Sequence, residues 1–273
     1  MKLNIDYFSG AGNLFTAVDN KNYRLKKDDF AKFAEILSSE NSVTKVKTEG
    51  IVVLNPAENA DFDVWFFNPD GTSGMMCGNG GRCAIKFALL QKYLAEDTKQ
   101  VSFSMNDKLY SGTLNENDIT IFFQAPTKIS NLIKITINDK EIEGRYIDVG
   151  TDHFVVKTNE INEIDIIDIG KKIRFHQKFV PFGVNANFYS LIDESTLQIR
   201  TYERGVEAET AACGTGAIAT ALTYHTISNK SKIKLIPKSS SILEVEIFKE
   251  NDHIKKISLK GMAEKIGENT ISI

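Results

Sequence analysis

Only three cysteines occur in the 273 residues, an odd number that cannot pair completely. A disulfide-built scaffold is therefore excluded, and a reducing compartment fits the chain. There is no Cys-x-x-Cys pair, and the four histidines (His153, His176, His225, His253) stand singly, so no metal-ligand spacing is present. Basic charge is not in surplus: the net charge of −3 leaves no electrostatic footprint for nucleic acid. No apolar run approaches the roughly 20 residues of a membrane-spanning helix. Residues 1–6, Met-Lys-Leu-Asn-Ile-Asp, carry charge where a secretory leader needs an apolar core, so a cytoplasmic location is expected. Nucleotide loops are missing too. Gly10-Ala11-Gly12 lacks the third glycine of a dinucleotide fingerprint, since position 15 is Phe15, and no Gly-Lys-Ser/Thr follows a glycine run.

What remains is an ordinary soluble composition, 42% hydrophobic and 25% charged, in a length natural for two domains of about 100–150 residues each. The chain is rich in strand signals. Residues 3–8, 51–54, 62–67, 101–105, 119–123, 145–149, 154–157, 185–191, 197–202, 242–248 and 256–259 alternate, or are enriched in β-branched and aromatic residues. The basic clusters Lys171-Lys172-Ile173-Arg174 and Lys230-Ser231-Lys232-Ile233-Lys234 alternate with apolar residues and read as solvated strand faces. Asn115-Glu116-Asn117-Asp118 is a turn signal near the middle and the candidate domain crossover. Three helices are expected. One covers residues 28–38, with Asp28 or Asp29 as its cap. The others, around residues 83–90 and 217–222, are apolar nearly all round, as a helix enclosed by a curled sheet must be.

Those two enclosed helices follow a duplicated box, Cys77-Gly78-Asn79-Gly80 and Cys213-Gly214-Thr215-Gly216, half a chain length apart. The repeat extends upstream. Phe66-Phe67-Asn68-Pro69-Asp70-Gly71 and Thr201-Tyr202-Glu203-Arg204-Gly205 are each a strand, a polar pair and a glycine turn. A repeat presenting one thiol per copy points to two thiols facing a single cleft. The first N–H groups of a helix lack internal partners, and its dipole favours negative charge. The amides of Gly78, Asn79, Gly214 and Thr215 are therefore candidate carboxylate donors, and a thiol at either start is biased toward thiolate. Two neighbouring thiols share one proton as a coupled pair, the state in which one sulfur removes a proton and the other delivers one. Cys83, inside the first of these helices, reads as core.

With these residues the chain resembles the diaminopimelate epimerase family, whose members interconvert LL- and meso-diaminopimelate without a cofactor. The resemblance runs through Gly10-Ala11-Gly12-Asn13, Asn68-Pro69-Asp70-Gly71 and Met76-Cys77-Gly78-Asn79-Gly80-Gly81-Arg82-Cys83. It continues through Pro181-Phe182-Gly183-Val184-Asn185, Tyr202-Glu203-Arg204-Gly205, Glu209-Thr210-Ala211-Ala212-Cys213-Gly214-Thr215-Gly216 and Leu259-Lys260-Gly261-Met262-Ala263. It implies an α/β (α+β) fold of two similar, pseudo-symmetric halves, each a β-barrel-like sheet around a central helix, with the active site in the cleft between them. The last strand returns to the first half, giving halves of 1–117 plus 261–273 and 118–260. The resemblance makes Cys77 and Cys213 the acid–base pair, with His153 and Glu203 assisting proton movement. It gives Asn13, Asn68, Asn185 and Arg204 the substrate's amino and carboxylate groups, Arg204 as a bidentate clamp, with Glu203 beside them. The box amides take the carboxylate on the reacting carbon. It further implies a small amino-acid substrate, no cofactor, no metal, no nucleic-acid or membrane partner, and a homodimer.

The chain departs from the family pattern in three places. Gly150-Thr151-Asp152-His153 stands where the family has Gly-Asn-Pro-His, Gly12 to Phe15 reads Gly-Asn-Leu-Phe where it has Gly-Asn-Asp-Phe, and Thr48-Glu49-Gly50-Ile51 lacks an Asp-Gly or Asp-Gln. Threonine reaches less far than the amide it replaces. The alternative reading is a related two-cysteine racemase or epimerase acting on another amino or imino acid.

Overall fold

The computed structural model describes residues 1–40, 44, 46–73, 76–115 and 118–272. The first half of the chain runs β1 (Lys2–Gly10), β2 (Asn13–Asp19), α1 (Lys27–Ser38), β3 (Ile51–Asn55), β4 (Phe62–Phe67), α2 (Gly78–Leu90), β5 (Gln100–Met105), β6 (Lys108–Asn115) and β7 (Asp118–Gln124). The second runs β8 (Lys128–Ile137), β9 (Lys140–Asp148), β10 (Asp152–Lys157), α3 (Ile166–Arg174), β11 (Asn185–Leu191), β12 (Thr196–Glu203), β13 (Ala208–Glu209), α4 (Gly214–Ser228), β14 (Lys232–Ile236), β15 (Leu243–Glu250) and β16 (His253–Ser272). The chain divides into two compact units, residues 1–122 with 260–273, and residues 123–259.

In the first unit the path β1–β2–β3–β4–β5–β6–β7–β16 closes on itself through β1–β16 pairing, giving an eight-stranded barrel. Its middle strands are covered on both faces, which is why Ile51-Val52-Val53-Leu54 reads as an unbroken apolar run. Ile51 and Val53 pack with Leu3, Ile5 and Val18 against Phe30, Ala34 and Leu37 of α1. Val52 and Leu54 point to the opposite face. There α2 lies against β1 to β4, and Phe8 meets Phe87 at 5.4 Å between ring centroids.

The second unit repeats this order. Its path is β16–β15–β14–β12–β11–β10–β9–β8. Pairing along β1 to β6 runs antiparallel, parallel, antiparallel, parallel, antiparallel, and the same sequence recurs from β9 through β10, β11, β12 and β14 to β15. α4 takes the place of α2, with every residue from Gly214 to His225 buried. α3 takes the place of α1, setting Ile166 and Ile173 against Phe154, Ala186, Phe188 and Tyr202.

Two sequence expectations are corrected. Lys171 to Arg174 lies on α3, not on a strand. Asp165 caps that helix through its side chain, which accepts the Asp168 N–H at 3.0 Å, and Ile166, Ile169 and Ile173 give it an apolar stripe. α1 is capped from within: its N-cap is Lys26, whose N–H donates to Asp29 at the third helical position (3.0 Å). The segment 256–259 is part of one twenty-residue strand. The Asn115–Asp118 turn includes residues 116 and 117, which lie outside the described residues. Among the described residues no helix is long and apolar enough to cross a membrane.

Candidate active site

Each unit presents a thiol at the N-cap of its central helix, in nearly the same backbone conformation. Cys77 has φ −101° and ψ 106°, and Cys213 has φ −117° and ψ 114°. In both, Sγ accepts the N–H three residues on, Gly80 or Gly216, at 3.3 Å. Each sulfur thus takes the place of a capping oxygen and satisfies one otherwise unpartnered amide. The two helix starts are crowded to different degrees. A Cβ on Gly216 would lie 2.4 Å from Asn187 Oδ1, and one on Gly80 would lie 3.1 Å from the Phe66 ring.

In the first unit the site residues come from the barrel's strand ends. Asn13 opens β2 and is buried, paired across the ladder with Gly10. Asn68 follows β4 in a turn, its N–H donating to the Thr72 carbonyl (2.8 Å) and its Nδ2 to Thr72 Oγ1 (2.9 Å). Asp70 accepts from the Thr72 hydroxyl and amide, which hold its carboxyl below the usual range. Behind Cys77, Gly78 and Asn79 form the buried first turn of α2. Arg82, which the sequence marked only as part of a motif, is fully buried beneath that turn. Its guanidinium donates to the Gly78 carbonyl (3.2 Å) and to Asn79 Oδ1 (2.6 Å), while its buried Nε has no partner. Burial pushes its pKa down to about 10, opposed by charge interaction with Cys83 and Cys77. A cation enclosed with amide and carbonyl partners places a positive charge behind the helix start.

The second unit is more densely bonded. Cys213 is 7% exposed and its Sγ lies 3.6 Å from Thr215 Oγ1, beside the buried Gly214. Glu203 ends β12 and accepts from Thr210 Oγ1 at 2.9 Å and from the Cys213 side chain. Burial pushes its carboxyl up to about 7, with those two hydrogen bonds pulling the other way. His153 on β10 is fully buried between Thr151 and Asn187. Thr201 Oγ1 donates to Asn187 Oδ1 (3.0 Å), so the Asn187 Nδ2 donates to His153 Nδ1 (3.0 Å). The ring proton then belongs on Nε2, donated to Thr151 Oγ1 at 2.9 Å. Burial, reinforced by the charge of Arg204, pushes the imidazole down to about 3, so it is neutral across the physiological range.

Asn185, opposite His153 in the parallel β10–β11 register, bridges backbone to backbone. Its Nδ2 donates to the Asp152 carbonyl (2.9 Å) and its Oδ1 accepts the Arg204 N–H (2.8 Å). The Arg204 guanidinium donates from Nη1 to Asp152 Oδ2 (2.9 Å) and to the Gly183 carbonyl (3.2 Å). In the first unit Asn13 pairs with Gly10, whose backbone lies against Asn79 of the box, while the bonds of Asn68 stay within its own turn; in the second, Glu203 meets Cys213, and Asn185 joins His153's strand to Arg204. Arg82, Asp152, Asn187 and Thr210 escaped the sequence reading. Of these, only Asp152 carried a signal, as an acidic residue in a motif that otherwise has proline there. Among the described residues no group of three or more His, Cys, Asp or Glu could hold a metal ion.

This arrangement sits in a chain whose residues 8–119 and 145–266 match the family model for diaminopimelate epimerase. The diaminopimelate epimerase of Aquifex aeolicus is 32% identical over 275 residues, covering 96% of this chain and 95% of its own. The fold is shared with a phenazine biosynthesis protein of the PhzF family from Bacillus anthracis (TM-score 0.77, 15% identity, all of both chains). It is also shared with a hydroxyproline epimerase from Agrobacterium vitis (TM-score 0.75, 14% identity, 99% of this chain and 91% of that one). The chain belongs to the diaminopimelate epimerase family and is an isomerase.

Proposed function

We propose that the protein epimerises LL-diaminopimelate to meso-diaminopimelate in the cytoplasm, without a cofactor, supplying lysine and peptidoglycan biosynthesis. The observation that carries this is the matched pair of thiol N-caps, one on each central helix. One sulfur, as thiolate, takes the α-proton, so the C–H bond breaks as an S–H bond forms. The other, as thiol, gives its proton to the opposite face of the same carbon, and the pair ends with its single proton on the other sulfur. Charge that builds on the adjacent carboxylate as the proton leaves is met by the fixed amides of Gly78, Asn79, Gly214 and Thr215. Asn13, Asn68, Asn185 and Arg204 hold the remaining amino and carboxylate groups. Glu203 accepts from Cys213 and tunes its proton, and His153, neutral and bonded at both nitrogens, holds this end of the site in place.

Incubating the reduced protein with LL-diaminopimelate in deuterated water tests the reading: deuterium enters Cα, and the meso isomer accumulates, with no pyridoxal phosphate added. Absence of exchange would overturn it. A second reading, epimerisation of another amino or imino acid, is favoured by the Thr151-Asp152 departure. It predicts exchange on substrates with one carboxylate and none on diaminopimelate.

A further inference from the structure

Asp152 occupies the position where the resemblance expects proline, and the structure puts its carboxylate on the arginine assigned to the substrate. Asp152 Oδ2 lies 2.9 Å from Arg204 Nη1, and the Tyr146 hydroxyl donates to Asp152 Oδ1. Both backbones are fixed by one side chain, Asn185, which accepts the Arg204 N–H and donates to the Asp152 carbonyl. The guanidinium is braced again by the Gly183 carbonyl. Neither charged group is sealed away: the Asp152 side chain is 27% exposed and that of Arg204 16%. Asp152, though not Arg204, lines a cavity of about 310 Å³, together with Tyr146, Phe182 and Gly183.

A partly exposed and rigidly mounted pair of opposite charges is the complement of a zwitterion. The two ends of diaminopimelate are chemically alike, and the end that does not react carries an ammonium and a carboxylate on one carbon. A lone arginine satisfies only half of that group. A carboxylate oxygen accepts two hydrogen bonds, so Asp152 keeps acceptor capacity beyond Tyr146 and Arg204. We propose that Asp152 and Arg204 together form the receptor for the non-reacting amino-acid end of the substrate, Arg204 taking its carboxylate and Asp152 its ammonium. Asp152 is then a specificity-determining residue. This rests on diaminopimelate being the substrate.

The test compares diaminopimelate with 2-aminopimelate, in which hydrogen replaces the second ammonium, by deuterium exchange at Cα. The readout is the ratio of kcat/KM for the two substrates within one preparation, which any unfolded fraction leaves unchanged. Wild type favours diaminopimelate. Asp152→Asn keeps the shape and a hydrogen-bond acceptor but removes the charge, and lowers the ratio by about tenfold or more, the weight of one charge-assisted hydrogen bond. Asp152→Glu restores part of the preference. A ratio unchanged within twofold in Asp152→Asn overturns the receptor and leaves the epimerase reading standing. Absence of wild-type exchange on diaminopimelate overturns both.

Discussion

The two thiol helix starts share a backbone and differ in what surrounds them. Cys77 is half-buried, with an enclosed guanidinium beneath its helix turn and an aromatic ring over Gly80. Cys213 is buried against a carboxyl whose pKa is about 7 and a helix turn pressed onto Asn187. Duplication explains the common part, since both units repeat the same order of strands and helices. The copies differ in the charges they place there: a buried cation lies behind Cys77, whereas a carboxyl raised by burial accepts from Cys213. Under the proposed two-thiol reaction the pair shares one proton with or without this asymmetry, and the asymmetry biases which sulfur holds it at rest.

The largest break in the comparison comes from removing the sulfurs. Cys77→Ala and Cys213→Ala should each lower deuterium exchange into diaminopimelate by about 10²–10⁴-fold, the usual weight of a general acid or base. Equal losses make the boxes chemically equivalent partners. A variant that keeps full turnover places its thiol outside the chemistry and leaves the other box to act alone.

The second break is steric. Gly216→Ala drives a methyl to 2.4 Å from Asn187 Oδ1, an atom held by Thr201 while the same amide donates to His153. Gly80→Ala meets the Phe66 ring at 3.1 Å, which must give by a few tenths of an ångström, and Cys77 Cβ at 3.4 Å. Thermal unfolding should report about 1–3 kcal/mol of destabilisation for Gly216→Ala, the usual range for overpacking. Gly80→Ala should stay within about 1 kcal/mol, helped by alanine's better helix propensity. Equal losses would show that the second box is no more tightly built than the first.

Much of this was legible from residues alone, and the boundary has physical causes. The boxes were visible because their chemistry is local: a thiol, glycines and an apolar helix lie within a dozen consecutive positions. β3 was visible for the same reason, as four apolar residues in a row. β2 was not, because Asn13-Leu14-Phe15-Thr16-Ala17-Val18 is buried on both faces without alternation, and β8 was not, because only Ile135 and Ile137 of its side chains are buried. α3 was misread since nine residues with a Lys-Lys-Ile-Arg end carry too few turns to separate helical from strand spacing. The site's second layer depends on burial and register. No local pattern marks Arg82 as enclosed. The Thr151–His153–Asn187–Thr201 chain exists only because β10, β11 and β12 are neighbours, and Asp152 meets Arg204 across 52 positions of sequence.

The third break is electrostatic and confined to the first unit. Iodoacetamide should label Cys77 ahead of the more deeply buried Cys213. Arg82→Met keeps the length of the side chain and deletes the cation, at a cost of about 1–3 kcal/mol for the acceptors it leaves unpaired on Gly78 and Asn79, so the labelling is read on folded protein. It should slow Cys77 labelling at pH 7 by about tenfold, one pKa unit of lost thiolate, and leave Cys213 unchanged. Peptide mass spectrometry after timed quenching separates the two rates. If Cys77 labels at the wild-type rate, the buried guanidinium is structural only, and the helix start alone sets the thiol.

The smallest effect belongs to Glu203 and sharpens the second unit's side of the contrast. Its carboxyl is raised from an ordinary value near 4.5 to about 7, so the folded state prefers it protonated. Below pH 4.5 both folded and unfolded forms hold the proton, and the group contributes nothing. Between 4.5 and 7 the unfolded chain releases the proton first, and stability falls as pH rises; above 7 the loss is complete. Glu203→Gln removes that term. The variant's thermal midpoint should therefore gain on wild type between pH 5 and pH 8, by about 2–4 °C for each kcal/mol recovered. The same substitution should flatten the limb of the kcat/KM profile near pH 7, since an amide cannot share a proton with Cys213. A variant that follows wild type in both profiles would mean the carboxyl titrates at its ordinary value. The electrostatic difference between the two boxes would then rest on the buried arginine.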